Sequence, residues 1–197
     1  MYGVQTFTAI DGVLHPRWNG KANEGFDIAM LKLNREADSP IPEILAKENV
    51  LKSGSRFTAL GWGGTEISHY SEKLRLTDDL AFVPADICRN NGYDVDDTMV
   101  CAGLSHENTC RGDFGSFPHP FLSLCIKGDS GGPLLQPDAP DGELKAGRPD
   151  LDLLVGITSY GLGSCENSTL GIYTHVGHYS EWIQSVISNT TVFESST

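Results

Sequence analysis

Almost everywhere between Val4 and His175 the apolar residues come in short runs that alternate with polar ones, and Gly, Pro, Asn or Asp closes most runs. A repeat of two is that of a pleated strand, and short strands separated by turn residues build barrels or sandwiches. The chain opens this way: Val4, Thr6, Thr8 and Ile10 share one face, with Phe7 and Ala9 on the other. Strands are expected over 4–14, 26–33, 56–62, 73–83, 98–102, 153–160 and 171–175. The 22 glycines suit such a turn-rich, all-β fold.

Helical spacing is convincing only near the end, in "YSEWIQSVI" at 179–187. There Trp182, Ile183, Val186 and Ile187 fall on one face and Ser180 can cap the start. Residues 85–91 can form one helical turn, 136–150 read as a long polar loop, and 189–197 as a disordered tail. A net charge of -12 opposes a nucleic-acid partner, and no apolar run is long enough to span a bilayer. The first residues lack the basic and apolar regions of a signal peptide. They read as a strand already under way, so Met1 is not taken as the true start.

Five cysteines (Cys88, Cys101, Cys110, Cys125 and Cys165) and two N-x-Ser/Thr sequons, at Asn167 and Asn189, lean towards an oxidising, secreted setting. No paired C-x-x-C occurs, so no metal site is expected, and no cofactor.

Chemistry concentrates in "GDSGGPL" at 128–134. An acyl-transfer serine needs a tight turn, little surrounding bulk and backbone N–H groups facing an oxyanion. Here Ser130 is the nucleophile, and Gly128 and Ser130 are the candidate donors. A plain glycine-rich turn would account for a lone Gly-Ser-Gly, but the full heptapeptide is far more specific. It resembles the nucleophile motif of the trypsin-like, chymotrypsin-fold serine proteases. Other stretches are similar to that family in the same order: "HPRWN", "FDIAMLKLN", "ALGWGG", "DTMVCAG", "ITSYGLGSC" and "GIYTHV", closed by the amphipathic helix.

The resemblance implies a chymotrypsin-like fold of two six-stranded β-barrels, the first only partly present, with a C-terminal α-helix. Residues 1–188 would form the peptidase domain, with 1–55 a remnant of the first barrel and 56–188 the second barrel and helix. It implies Asp27 as the acid of the triad, and Ser159, Tyr160, Gly161 and Gly171 along the substrate cleft. Cys88–Cys101 matches one family disulfide. Cys165 matches the partner of the cysteine before the nucleophile motif, either Cys110 or Cys125. The preferred pairing is Cys110–Cys165, with Cys125 free. Protein or peptide substrates, protein inhibitors as partners, a monomeric state and an extracellular location follow from the same resemblance.

Two departures stand out. Family members carry Cys-x-Gly-Asp-Ser, whereas here Cys-Arg-Gly-Asp at 110–113 has no serine after it, and Cys125 stands five residues before Ser130. Deleting 113–128 restores an ordinary motif, so this segment reads as an in-frame retained intron, with a genuine surface insertion as the alternative. With Cys110 as the family cysteine, the residue at the base of the S1 pocket is Asn108, which cannot offer a fixed negative charge to Lys or Arg. The other departure is the triad histidine. None of His15, His69, His106, His119, His175 and His178 stands in the family's setting, and His15 reads as a surface turn residue. Without an imidazole Ser130 is a weak nucleophile. The expectation is therefore a serine endopeptidase by family whose polypeptide, as given, is inactive; the alternative is a secreted, non-catalytic pseudoprotease that binds a partner protein through the old cleft.

Overall fold

The computed structural model describes residues 5–37, 43–44, 51–63, 71–104, 128–138, 148–161 and 170–194. Its strands are β1 (Ala9–Leu14), β2 (Ala29–Leu33), β3 (Glu43–Ile44), β4 (Arg56–Gly61), β5 (Arg75–Val83), β6 (Met99–Leu104), β7 (Pro133–Gln136), β8 (Leu153–Tyr160) and β9 (Leu170–His175). Two α-helices, α1 (Ala85–Asn90) and α2 (Ser180–Glu194), complete the described chain together with short 3₁₀ turns.

Six strands close on themselves. β4 pairs with β5, β5 with β6, β6 with β9, β9 with β8, β8 with β7 and β7 again with β4, all antiparallel. Closure leaves no open edge, which is how an antiparallel sheet satisfies all its N–H and C=O groups. β3 adds a short parallel pairing to the start of β8. Inside the barrel Phe57, Leu80, Val100, Ala102, Leu134, Val155 and Tyr173 form one buried cluster. Gly156 pairs with His175, and a Cβ there would come within 2.9 Å of the Tyr173 Cβ, so glycine lets β8 and β9 lie close together.

Beside the barrel, the Cys88–Cys101 disulfide ties α1 to β6, with Cα atoms 6.5 Å apart, and sits among Val83, Tyr93, Val95, Leu170 and Ile172. A third cluster joins α2 to the N-terminal segment: Ile28 packs with Val176, Tyr179 and Ile183.

β1 and β2 pair only with each other among the described residues. Their apolar side chains face outward: Ile10, Leu14 and Leu31 are 58, 64 and 66% exposed. Ile28 is buried, because it lies just before β2 where the ribbon meets α2. Two expectations from the sequence are corrected, on His15 and on the C-terminal tail. His15, expected on the surface, is buried within an aromatic cluster. Finally, α2 runs on to Glu194, into the stretch read as a tail from residue 189. A helix already nucleated and packed extends by one hydrogen bond per residue, which carries it past Ile187, the last apolar residue of the predicted face.

Candidate active site

The segment 25–28 enters β2 through an unusual backbone. Gly25 has φ +79 and Phe26 has φ +58. A Cβ at Gly25 would sit 2.7 Å from Thr98 Oγ1, so both conformation and space require glycine there. The Ile28 N–H donates to the Phe26 carbonyl at 2.8 Å, closing a tight turn centred on Asp27. Asp27 is thereby aimed at the barrel wall. Its carboxylate Oδ2 accepts the Ser159 hydroxyl at 2.5 Å, and its carbonyl accepts the Thr174 hydroxyl at 2.7 Å. Ser159 lies on β8 and Thr174 on β9, two strands paired in this stretch.

The Gly-Asp-Ser-Gly turn at 128–131 hangs from the same strand. Gly128 (φ +92) and Gly131 (φ +85) flank Asp129 and Ser130 with conformations that side chains resist. The Gly131 N–H donates to the Thr158 carbonyl at 2.9 Å, and the Thr158 N–H returns a bond to the Gly132 carbonyl at 2.8 Å. Gly132 is pressed against β4, since a Cβ there would meet the Leu60 carbonyl oxygen at 2.7 Å. Ser130 is exposed at the tip of this turn. Asp27 and the Ser130 turn are therefore anchored at consecutive residues, Ser159 and Thr158, near the C-terminal end of β8.

Asp129 turns inward. Its Oδ1 accepts the Gly63 N–H at 2.6 Å, and it lies over Gly61, where no side chain could be accommodated. Burial holds its carboxyl above the usual carboxylate range, with the Gly63 hydrogen bond pulling the other way. Below lies Tyr173, a residue the sequence reading did not single out. Its buried hydroxyl has no hydrogen-bond partner among the described residues, and burial, then the charge of Asp129, pushes its ionisation far up. The one available signal was Gly171 two positions earlier on β9: a Cβ there would come within 3.1 Å of the Tyr173 ring and hydroxyl.

Of the residues singled out for the cleft, Ser159, Tyr160, Gly161 and Gly171 lie at the end of β8 or the start of β9. The Tyr160 hydroxyl donates to the Asp94 carbonyl at 2.9 Å, and its ionisation is pushed up to about 12, first by burial and then by Asp94. Asn108, Cys110, Cys125, Cys165 and Asn167 lie outside the described residues, as do His69, His106 and His119. Asn189 is exposed on α2.

The described histidines serve elsewhere. The His15 ring stacks on Phe26 and touches Tyr179 and Trp182, and its Nδ1 accepts the Arg17 N–H. His175 Nδ1 faces the Asp97 carbonyl at 3.3 Å, and His178 Nδ1 is 4.0 Å from the Asp97 carboxylate. Among the described residues no group of three or more His, Cys, Asp or Glu could hold a metal ion, and no helix is long and apolar enough to cross a membrane.

An antiparallel six-strand barrel that carries an acid and a Gly-Asp-Ser-Gly turn side by side has known relatives. The Trypsin family profile matches residues 2–116 and 123–183; the break falls inside the segment 113–128 that interrupts the expected motif. Trypsin-3 of Salmo salar is 27% identical over 193 residues, covering 94% of this chain and 67% of its own length. CLIP domain-containing serine protease B4 of Anopheles gambiae is 30% identical over 190 residues, covering 89% of this chain and 45% of its own length. Melanization protease 1 of Drosophila melanogaster is 28% identical over 186 residues, with 87% and 40% covered. The chain belongs to the Trypsin family of serine proteases. It spans between 40% and 67% of the length of these three relatives.

Proposed function

We propose that this chain carries the acid and the nucleophile of a secreted serine endopeptidase, and that the 197-residue polypeptide by itself is inactive. The observation that supports this most is the anchoring of Asp27 and of the Ser130 turn at consecutive residues of one strand. In the proposed reaction Ser130 Oγ attacks the scissile carbonyl. The developing oxyanion is received by the N–H groups of Gly128 and Ser130, the amine leaves with the serine proton, and water then releases the acyl group. Asp27 would orient an imidazole and stabilise it once protonated. His15, His175 and His178 have partners elsewhere, which supports inactivity of this polypeptide alone. Ser159, Tyr160, Gly161 and Gly171 would bind the substrate peptide, with Asn108 at the base of S1.

The same reading pairs Cys110 with Cys165 and leaves Cys125 in the segment 113–128, of which the family match leaves out only 117–122. Peptide mapping that finds Cys110 free and Cys125 bridged would reverse that assignment.

The test of function is a fluorophosphonate probe. The polypeptide should not label at Ser130, because removing a triad member costs several orders of magnitude in rate. A longer form of the protein that supplies an imidazole beside Asp27 should label, and should stop labelling in Ser130→Ala. Labelling of the 197-residue chain would mean one of its own histidines serves as base. No labelling of any longer form would favour the non-catalytic binding reading.

A further inference from the structure

Phe26, the residue before the proposed acid, is held in a left-handed conformation that bulky side chains rarely adopt. Such a conformation persists only where the surroundings over-determine it, and here three contacts do so. The Arg17 guanidinium lies over one face of the Phe26 ring, 3.9 Å from its centre. The His15 ring stacks on Phe26 with centroids 5.0 Å apart. The Phe26 N–H donates to the Tyr179 hydroxyl at 2.9 Å. Tyr179 is itself buried and hydrogen-bonded to Thr98, whose hydroxyl donates to Asp96.

We propose that Arg17, His15 and Tyr179 form a clamp on Phe26 that positions the Asp27 carboxylate, with Tyr179 as the principal positioning residue. The turn at Asp27 depends on it directly, because the carbonyl that closes that turn belongs to Phe26. If Phe26 relaxed to an ordinary extended conformation, the peptide entering Asp27 would rotate, and the carboxylate would leave the Ser159 hydroxyl. Tyr179 sits just ahead of the body of α2, so the clamp couples the C-terminal helix to the acid across 153 positions of sequence. The clamp rests on the reading of Asp27 as the acid, but its geometry does not require hydrolysis to be measured.

The experiment uses the 197-residue chain and NMR of two probes, the Phe26 amide and the Asp27 side-chain carboxyl carbon. Tyr179→Phe keeps the ring and removes the hydroxyl. Phe26 amide exchange should accelerate by on the order of tenfold, the loss of one hydrogen bond, and the Asp27 carboxyl resonance should shift. Trp182→Phe is the packing control, because Trp182 touches His15 but is not the partner of the Phe26 N–H; it should leave both probes in place. Should Tyr179→Phe fail to fold, Phe26→Gly decides. Glycine accepts the left-handed conformation but gives Arg17 and His15 nothing to hold, so the Asp27 resonance should shift or broaden. An Asp27 resonance unmoved by these variants, or moved equally by Trp182→Phe, overturns the clamp. Absence of labelling in every form of the protein would overturn the endopeptidase reading and leave the clamp standing.

Discussion

The closed barrel and the β1–β2 ribbon are both antiparallel β-structure written in the same alternating code, yet only one of them buries what it writes. In the barrel, alternate residues such as Val100 and Ala102 point into a shared interior. In the ribbon, every residue of β1 is exposed and both strands keep a free edge among the described residues. Alternation specifies a strand with two distinct faces; it does not supply the second layer that a face needs. The ribbon is nonetheless fixed at its base, where Ile28, His15 and Phe26 pack against α2. Asp27 sits at that base, bonded to Ser159 and Thr174, so it belongs mechanically to the barrel.

The comparison can be broken most severely from the barrel side. Phe57 is fully buried, and Phe57→Ala should cost about 3–5 kcal/mol in denaturant unfolding. A loss below about 1 kcal/mol would mean that the interior is not close-packed. Next comes the disulfide. Cys88 and Cys101 are 13 residues apart, and replacing both by Ala should cost about 3 kcal/mol by the loop-entropy model, read as a lower unfolding midpoint.

Acid should act through His15 at the seam between the regions and through His175 on β9. Burial holds His15 and His175 below the ordinary value of 6.5; for His15 the charges of Arg17 and His178 add to this, and for His175 the Asp97 carbonyl partly opposes it. The unfolded chain therefore binds these protons more readily. Their contribution to stability is complete above pH 6.5 and is lost as pH falls through the lowered folded values. The thermal midpoint should drop between pH 7 and pH 5, and His175→Gln should flatten that drop. Asp129 has the opposite sign: its carboxyl is held above the ordinary 3.8, so it favours the fold below 3.8 and loses that contribution as pH rises through its folded value. Asp129→Asn should thus not lower the midpoint at neutral pH.

Much of this architecture can be read from the residues, and the failures have physical causes. Strands β4, β5, β6, β8 and β9 follow from alternation and turn residues. β7 was missed because "PLL" follows directly on the serine motif and is too short to show a period, and β3 is two residues long. Asp27 and Ser130 are singled out by their motifs. Their attachment to adjacent residues of β8 is not legible, because Ser159 is 132 positions from Asp27 and a hydrogen bond across that distance leaves no local pattern. The left-handed Phe26 is equally hidden, since an aromatic residue carries no local signal for positive φ. His15 was misjudged from its turn context, because burial there is supplied by α2, far along the chain.

The smallest effect should come from the ribbon. Leu14→Ser and Leu31→Thr remove exposed apolar surface and should change stability by no more than about 0.5 kcal/mol. Both should reduce self-association in sedimentation measurements, since an exposed apolar strand pairs with other chains.

The most direct test is residue-resolved hydrogen exchange on the intact chain. Val155 and Ile172, buried in the barrel strands β8 and β9, should exchange only through global opening, while Val13 and Leu31 in the ribbon should exchange at least about a hundredfold faster through local opening. The Ile28 amide, bonded at the ribbon's base, should fall between them. Equal protection of Val13, Leu31, Val155 and Ile172 would show that the two regions open as one unit and contradict the division between a self-sufficient barrel and a ribbon held only at its base.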